Sequence, residues 1–99
     1  MIVMLTAWYP YQSANDMIKA MSNAPKIPDF IKKWQIFGTA DAEKGLKVYN
    51  LILVNDKVSD EAVIAIGKIQ NYYTNTVKGY SWKVEICAGL KDSLKMLEK

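Results

Sequence analysis

The sequence predicts an α+β domain with elements in the order βαββαβ and a short C-terminal helix, its four-stranded antiparallel sheet covered by helices on one face. Three observations predict it. Residues 2–8 and 46–54 are apolar on both alternating sides, as strands inside a sheet are. Residues 80–88 alternate strictly, with Trp82, Val84, Ile86 and Ala88 on one side and Ser81, Lys83, Glu85 and Cys87 on the other. That is the pattern of an edge strand with one wet face. Between the strands, two stretches place apolar residues at helical spacing.

Taken in order, the first strand covers residues 2–8 and is bounded by Pro10. Ser13 offers an N-cap with Asp16 three residues on, and Ala14, Met17, Ile18 and Met21 form the buried stripe of the first helix. Asn23, Ala24 and Pro25 end it, and Pro28 keeps the following loop extended. Residues 33–39 alternate, Trp34 and Ile36 against Gln35 and Phe37, and residues 40–45 form a polar hairpin connection closed by glycine. The third strand carries Val48, Ile52 and Val54 on one side and Tyr49, Leu51 and Leu53 on the other, with Asn50 as its internal polar break.

Asn55, Asp56 and Lys57 make a turn. Ser59 caps the second helix, and Asp60 and Glu61 suit its positive end. Ala62, Ile66, Ile69 and Tyr73 form its inward stripe, and Gly79 follows its end. After the fourth strand Gly89 breaks the alternation, and Leu90, Leu94 and Leu97 predict a short terminal helix.

Right-handed crossovers around each helix place the first and third strands centrally and the fourth and second at the edges. Trp82, Val84 and Ile86 face the helices, because Lys83 and Glu85 would be costly to bury there. Matching polar breaks to that polar side assigns Met4, Thr6, Trp8, Val48, Asn50 and Ile52 to the helix-free face, together with Gln35 and Phe37. Val3, Leu5, Ala7, Tyr49, Leu51 and Leu53 are then expected against the helices.

Composition bounds the chemistry. The 99 residues predict a single domain spanning 1–99, and 51% hydrophobic with 23% charged residues is a globular profile. The net charge of +3 comes from 13 lysines, with no arginine, against 10 acidic residues. Without the planar guanidinium that reads guanine edges and clamps phosphates, no nucleic-acid partner is expected. Histidine is absent and Cys87 is the single cysteine, so the usual zinc, haem and copper sites lack ligands. No metal or cofactor is therefore expected, no disulfide forms within the chain, and Ser-His-Asp or Cys-His catalysis is excluded. The apolar N-terminus lacks a preceding basic segment and a following cleavage site, and no apolar run approaches the roughly 20 residues that span a bilayer. A cytoplasmic location and no membrane partner are expected.

Over nearly its whole length this order of elements resembles the ferredoxin-like domains that pair sheet to sheet as dimeric α/β barrels. The resemblance rests on the opening strand at residues 2–8, the proline-containing loop at 25–28 and the helix at 90–97. It implies a homodimer. Other members are cofactor-independent monooxygenases, isomerases, or haem-handling and chlorite-decomposing enzymes. The histidine used by the haem-binding and many monooxygenase members has no counterpart here, so the resemblance carries little about activity.

Asn50 is the most suggestive single residue, a lone amide in an apolar central strand. It reads first as a hydrogen-bonded device fixing register at a dimer interface, and second as a ligand-orienting group. Thr6, Trp8 and Asn50, with Glu85 as a carboxylate on the same face, are the candidate ligand-binding residues. Met4, Trp8, Val48, Asn50 and Ile52 are the candidate dimer interface, and no catalytic residue is assigned. Tyr9, Tyr11, Tyr72, Tyr73 and Tyr80 read as aromatic packing at the domain ends rather than a stacking platform for single strands. Cys87 reads as an inert small residue, and no phosphate-cradling glycine loop is present. The functional expectation is a non-enzymatic homodimeric module that binds a small ligand or a protein partner. The alternative is a cofactor-independent enzyme working through Asn50, Trp8 and Glu85.

Overall fold

A computed structural model describes residues 1–41, 43 and 45–98. Strand β1 (Ile2–Tyr9) is followed by helix α1 (Ala14–Ser22), β2 (Ile31–Asp41), β3 (Gly45–Val54), helix α2 (Ser59–Thr76), β4 (Ser81–Cys87) and a single turn, α3 (Leu90–Ser93). Short 3-10 turns cover Tyr11–Ser13, Asp56–Val58 and Leu94–Leu97. The sheet runs β2-β3-β1-β4 with every neighbouring pair antiparallel. The two strands that are apolar on both sides are thus the inner ones. The β2–β3 hairpin is tighter than the pattern suggests, because Asp41 still pairs with Gly45; Ala42 and Lys44 lie outside the described residues.

Register decides the faces. Leu5 stands opposite Asn50 on β3 and Val84 on β4, and Val3 opposite Ile52 and Ile86. Directly opposed residues share a face, so the helix-covered face holds Val3, Leu5, Ala7, Trp82, Val84 and Ile86, as expected. It also holds Val48, Asn50 and Ile52, which corrects the assignment of β3. Tyr49, Leu51 and Leu53 lie on the open face with Met4, Thr6 and Trp8, and Gln35 and Phe37 join them there. The reason is hydrogen bonding. Asn50 needs no wet surface, because Trp34 Nε1 donates to its Oδ1 at 2.8 Å and its own Nδ2 donates to the Leu5 carbonyl at 3.3 Å. A satisfied amide is tolerated in a core. A register shift between Ile31 and Lys33 turns Ile31 back onto the covered face beside Trp34.

The core forms two clusters. One joins Val3, Leu5, Ile52 and Val54 of the sheet, with Ile31, to Ala62 and Ile66 of α2. The other joins Ala7 and Tyr80 to Met17 and Ala20 of α1 and to Val77. Each large side chain buried here contributes roughly 1.5–3 kcal/mol. Ala62, Ile66 and Ile69 are buried as the inward stripe of α2 predicts, whereas on α1 only Met17 and Ala20 are buried and Ile18 and Met21 stay exposed. The Tyr72 hydroxyl ties the helices together by donating to the Ala20 carbonyl at 2.7 Å.

Ser13 is not the expected cap. Its hydroxyl donates to the Lys78 carbonyl at 2.6 Å, and α1 is entered through the 3-10 turn instead. Ser59 likewise makes no capping bond and opens α2 as its first residue, while Asn55 Oδ1 accepts from the Lys57 amide to cap the preceding turn. Two glycines are required at this end of the domain. Gly45 and Gly79 have φ of 97° and 81°, and a Cβ on either would lie within 3 Å of Pro10 atoms. Both the left-handed backbone and the close approach exclude a side chain. Beyond β4, Leu90, Leu94 and Leu97 are all exposed, so the terminal segment does not bury the apolar stripe that its spacing offers.

Candidate ligand cavity

Ala62 and Ile66 of α2 pack against Val3 and Leu5 of β1 and Ile52 and Val54 of β3, while Ile36 and Gly38 of β2 stay exposed. A cavity of about 400 Å³ occupies the space between sheet and helices. Its floor is Trp34, Ile36 and Gly38 of β2 with Val48 and Asn50 of β3. Gly38 helps to create it, since a Cβ there would touch nothing within 4 Å. Ile69, Gln70 and Tyr73 of α2, Met17 and Met21 of α1, and Tyr9 and Tyr80 complete the lining. Ala24, Pro25 and Ile27, from the loop after α1, also line the cavity. A volume of this size falls in the usual range for small-molecule sites.

The polar groups in this apolar enclosure are few and mostly committed. Trp34 Nε1 and Asn50 Oδ1 bond each other, joining β2 to β3 across the floor. The Tyr80 hydroxyl donates to Gln70 Oε1. The Tyr73 and Tyr80 rings lie 5.5 Å apart, and Tyr72 meets Tyr73 edge-on at 5.2 Å. Burial pushes the Tyr80 phenol far above its ordinary 10.0, with the nearby Tyr73 and Tyr9 phenols adding to the shift. Burial also raises Tyr73, and Tyr72 adds to it. Both remain neutral hydroxyls at physiological pH.

The candidates chosen from sequence are divided by the sheet. Asn50 lines the cavity. Thr6, Trp8 and Glu85 lie on the opposite, open face, so Asn50, Trp8 and Glu85 do not converge on one site. On the open face the Lys47 ammonium sits 5.5 Å from the Trp8 ring and 4.9 Å from the Tyr49 ring, and Lys83 pairs with Glu85 at 3.3 Å. Of the candidate interface, Met4 and Trp8 are on this face, while Val48, Asn50 and Ile52 are on the other, with Ile52 fully buried.

Sequence reasoning missed Gln70, although a signal was present. Gln70 falls within the inward stripe that runs Ile66, Ile69, Tyr73, and a polar residue in such a stripe has to find a partner or a ligand. Among the described residues no cluster of His, Cys, Asp and Glu suited to a metal ion occurs, and no helix is long and apolar enough to cross a membrane. What fold and site define is a small α+β domain with a mainly apolar cavity between helices and sheet. No protein-family model matches the chain, and no curated protein matches it.

Proposed function

We propose that this chain is a ferredoxin-like binding module that holds a small molecule between its helices and its sheet and pairs with a second copy through the open sheet face. The cavity carries the binding reading: it is mainly apolar, of ligand size, and furnished with a few oriented amide and hydroxyl groups. A binding role is favoured over catalysis because the carboxylate and aromatic groups considered for chemistry, Glu85 and Trp8, are on the far side of the sheet from Asn50. The strand order, with both doubly apolar strands inside, supports the ferredoxin-like reading.

Pairing is supported by the surface left over. Ile2, Met4, Leu51 and Leu53 adjoin one another across β1 and β3, with Tyr49 and Phe37 exposed beside them. A contiguous apolar patch of this kind is what a two-fold partner covers with the same patch of its own.

A cavity-filling variant tests the binding reading. Gly38→Phe has room for its Cβ and places a ring in the cavity. A neutral small-molecule library screened by thermal shift should yield compounds that raise the melting temperature of the wild type and not of Gly38→Phe. Hits that stabilise both proteins equally would place binding elsewhere and defeat the proposal.

A further inference from the structure

We infer that the cavity selects an uncharged, mainly apolar compound bearing a hydrogen-bond acceptor oxygen, and that Gln70 Nε2 is the group that orients it. This rests on the cavity being a binding site, as proposed above, and adds the class of ligand and the residue that sets it.

The first ground is charge. Among the described residues, no lysine, aspartate or glutamate lines the cavity. Burial raises the Tyr73 and Tyr80 phenols above their ordinary 10.0, so these two supply no counter-charge. An ionised ligand would lose its hydration and gain no counter-charge, a loss that apolar contact does not offset. The methionines and aromatic rings of the walls offer polarisable, adaptable contact to an apolar body.

The second ground is the one amide with a group left over. Gln70 is only 2% exposed, and its Oε1 is taken by the Tyr80 hydroxyl. Among the described residues nothing accepts from its Nε2. No fully enclosed side-chain nitrogen or oxygen lacks a partner there, so this nitrogen keeps access to open space, and Gln70 is one of the residues lining the cavity. Asn50 differs, because both ends of its amide are engaged, by Trp34 and by the Leu5 carbonyl. A buried N–H facing an apolar ligand would go without an acceptor, whereas a carbonyl, ether or hydroxyl oxygen at that point would satisfy it.

Three probes with one bicyclic body separate these statements by calorimetry: 2-acetylnaphthalene, 2-ethylnaphthalene and 2-naphthoate. The ketone should bind the wild type, the hydrocarbon about tenfold more weakly, and the carboxylate at least about a hundredfold more weakly. In Gln70→Met the ketone and the hydrocarbon should bind within about twofold of each other, the acceptor having lost its donor. The side-chain amide resonances of Gln70 in the wild type should shift with the ketone and not with the hydrocarbon, a reading that does not depend on the variant folding. Carboxylate binding within tenfold of the ketone overturns the charge argument. Equal binding of ketone and hydrocarbon to the wild type overturns the role of Gln70 while leaving the cavity a binding site. Failure of all three probes at millimolar concentration overturns the binding reading itself, and this inference with it.

Discussion

The two faces of β3 carry similar residues to different ends. On one side Val48, Asn50, Ile52 and Val54 look toward the helices, and Ile52 and Val54 lose essentially all contact with solvent. On the other side Lys47, Tyr49, Leu51 and Leu53 face away from the α2 residues that bury Ile52 and Val54. Hydropathy alone ranks the outward set as a fair core, and it places the amide on the wrong side. The difference teaches that a polar residue in an apolar strand goes where its hydrogen bonds are, even when a wetter face is available. For Asn50 that place is between the Trp34 indole and the Leu5 carbonyl.

Lysine placed at adjacent positions gives the largest contrast between the faces. Ile52→Lys puts an ammonium in the main cluster with no acidic partner there and should cost several kcal/mol, enough to unfold a domain of this size. Leu51→Lys, one residue away, should keep the fold and abolish pairing through the open face. Urea denaturation reads the first effect and sedimentation equilibrium the second. A Leu51→Lys protein that remains dimeric, or a wild type that is monomeric at micromolar concentration, would refute the paired-sheet proposal.

A smaller effect sharpens the account of Asn50. Asn50→Leu leaves the half-buried Trp34 N–H without its acceptor and should cost about 1–3 kcal/mol. Trp34→Phe removes that donor, so the double variant should recover about 1 kcal/mol relative to the sum of the singles. Additive losses in this cycle would mean that the indole–amide bond contributes nothing, and the reason given for the inward turn of Asn50 would fall with it.

The smallest effect is one of pH. Tyr80 has its folded-state pKa raised, so the stability linked to its protonated form is fully present below the ordinary phenol value of 10.0 and is lost progressively as pH climbs above it. Tyr80→Phe should cost about 1 kcal/mol at neutral pH through loss of the bond to Gln70. Above pH 10 its melting temperature should fall less steeply than that of the wild type. Lysine titration contributes equally to both proteins, so parallel curves would show that burial of this phenol is not what couples the fold to alkaline pH.

Much of the architecture was legible in the residues themselves. Strand and helix periods located every main element, and the alternation of Lys83 and Glu85 with Val84 and Ile86 oriented β4 correctly, because a charged pair has no stable place under a helix. Segments governed by weaker local chemistry were less legible. Ser13 looks like a helix cap, yet its hydroxyl is claimed by a carbonyl 65 residues away. Leu90, Leu94 and Leu97 look like a packing stripe, yet all three stay exposed.

The sequence by itself therefore determined which segments are strands and helices and which strands lie inside. Those properties depend on residue type and on spacing along the chain, and both are local. Only the tertiary structure decided which way β3 faces, that Gly38 and the placing of α2 leave a cavity, and that Gln70 reaches it with an amide group to spare. Each of these depends on a partner distant in sequence: Trp34 and Leu5 for Asn50, Tyr80 for Gln70. Hydrogen-bond satisfaction across a packed interior is a property of pairs, and no periodicity along a single strand or helix encodes it.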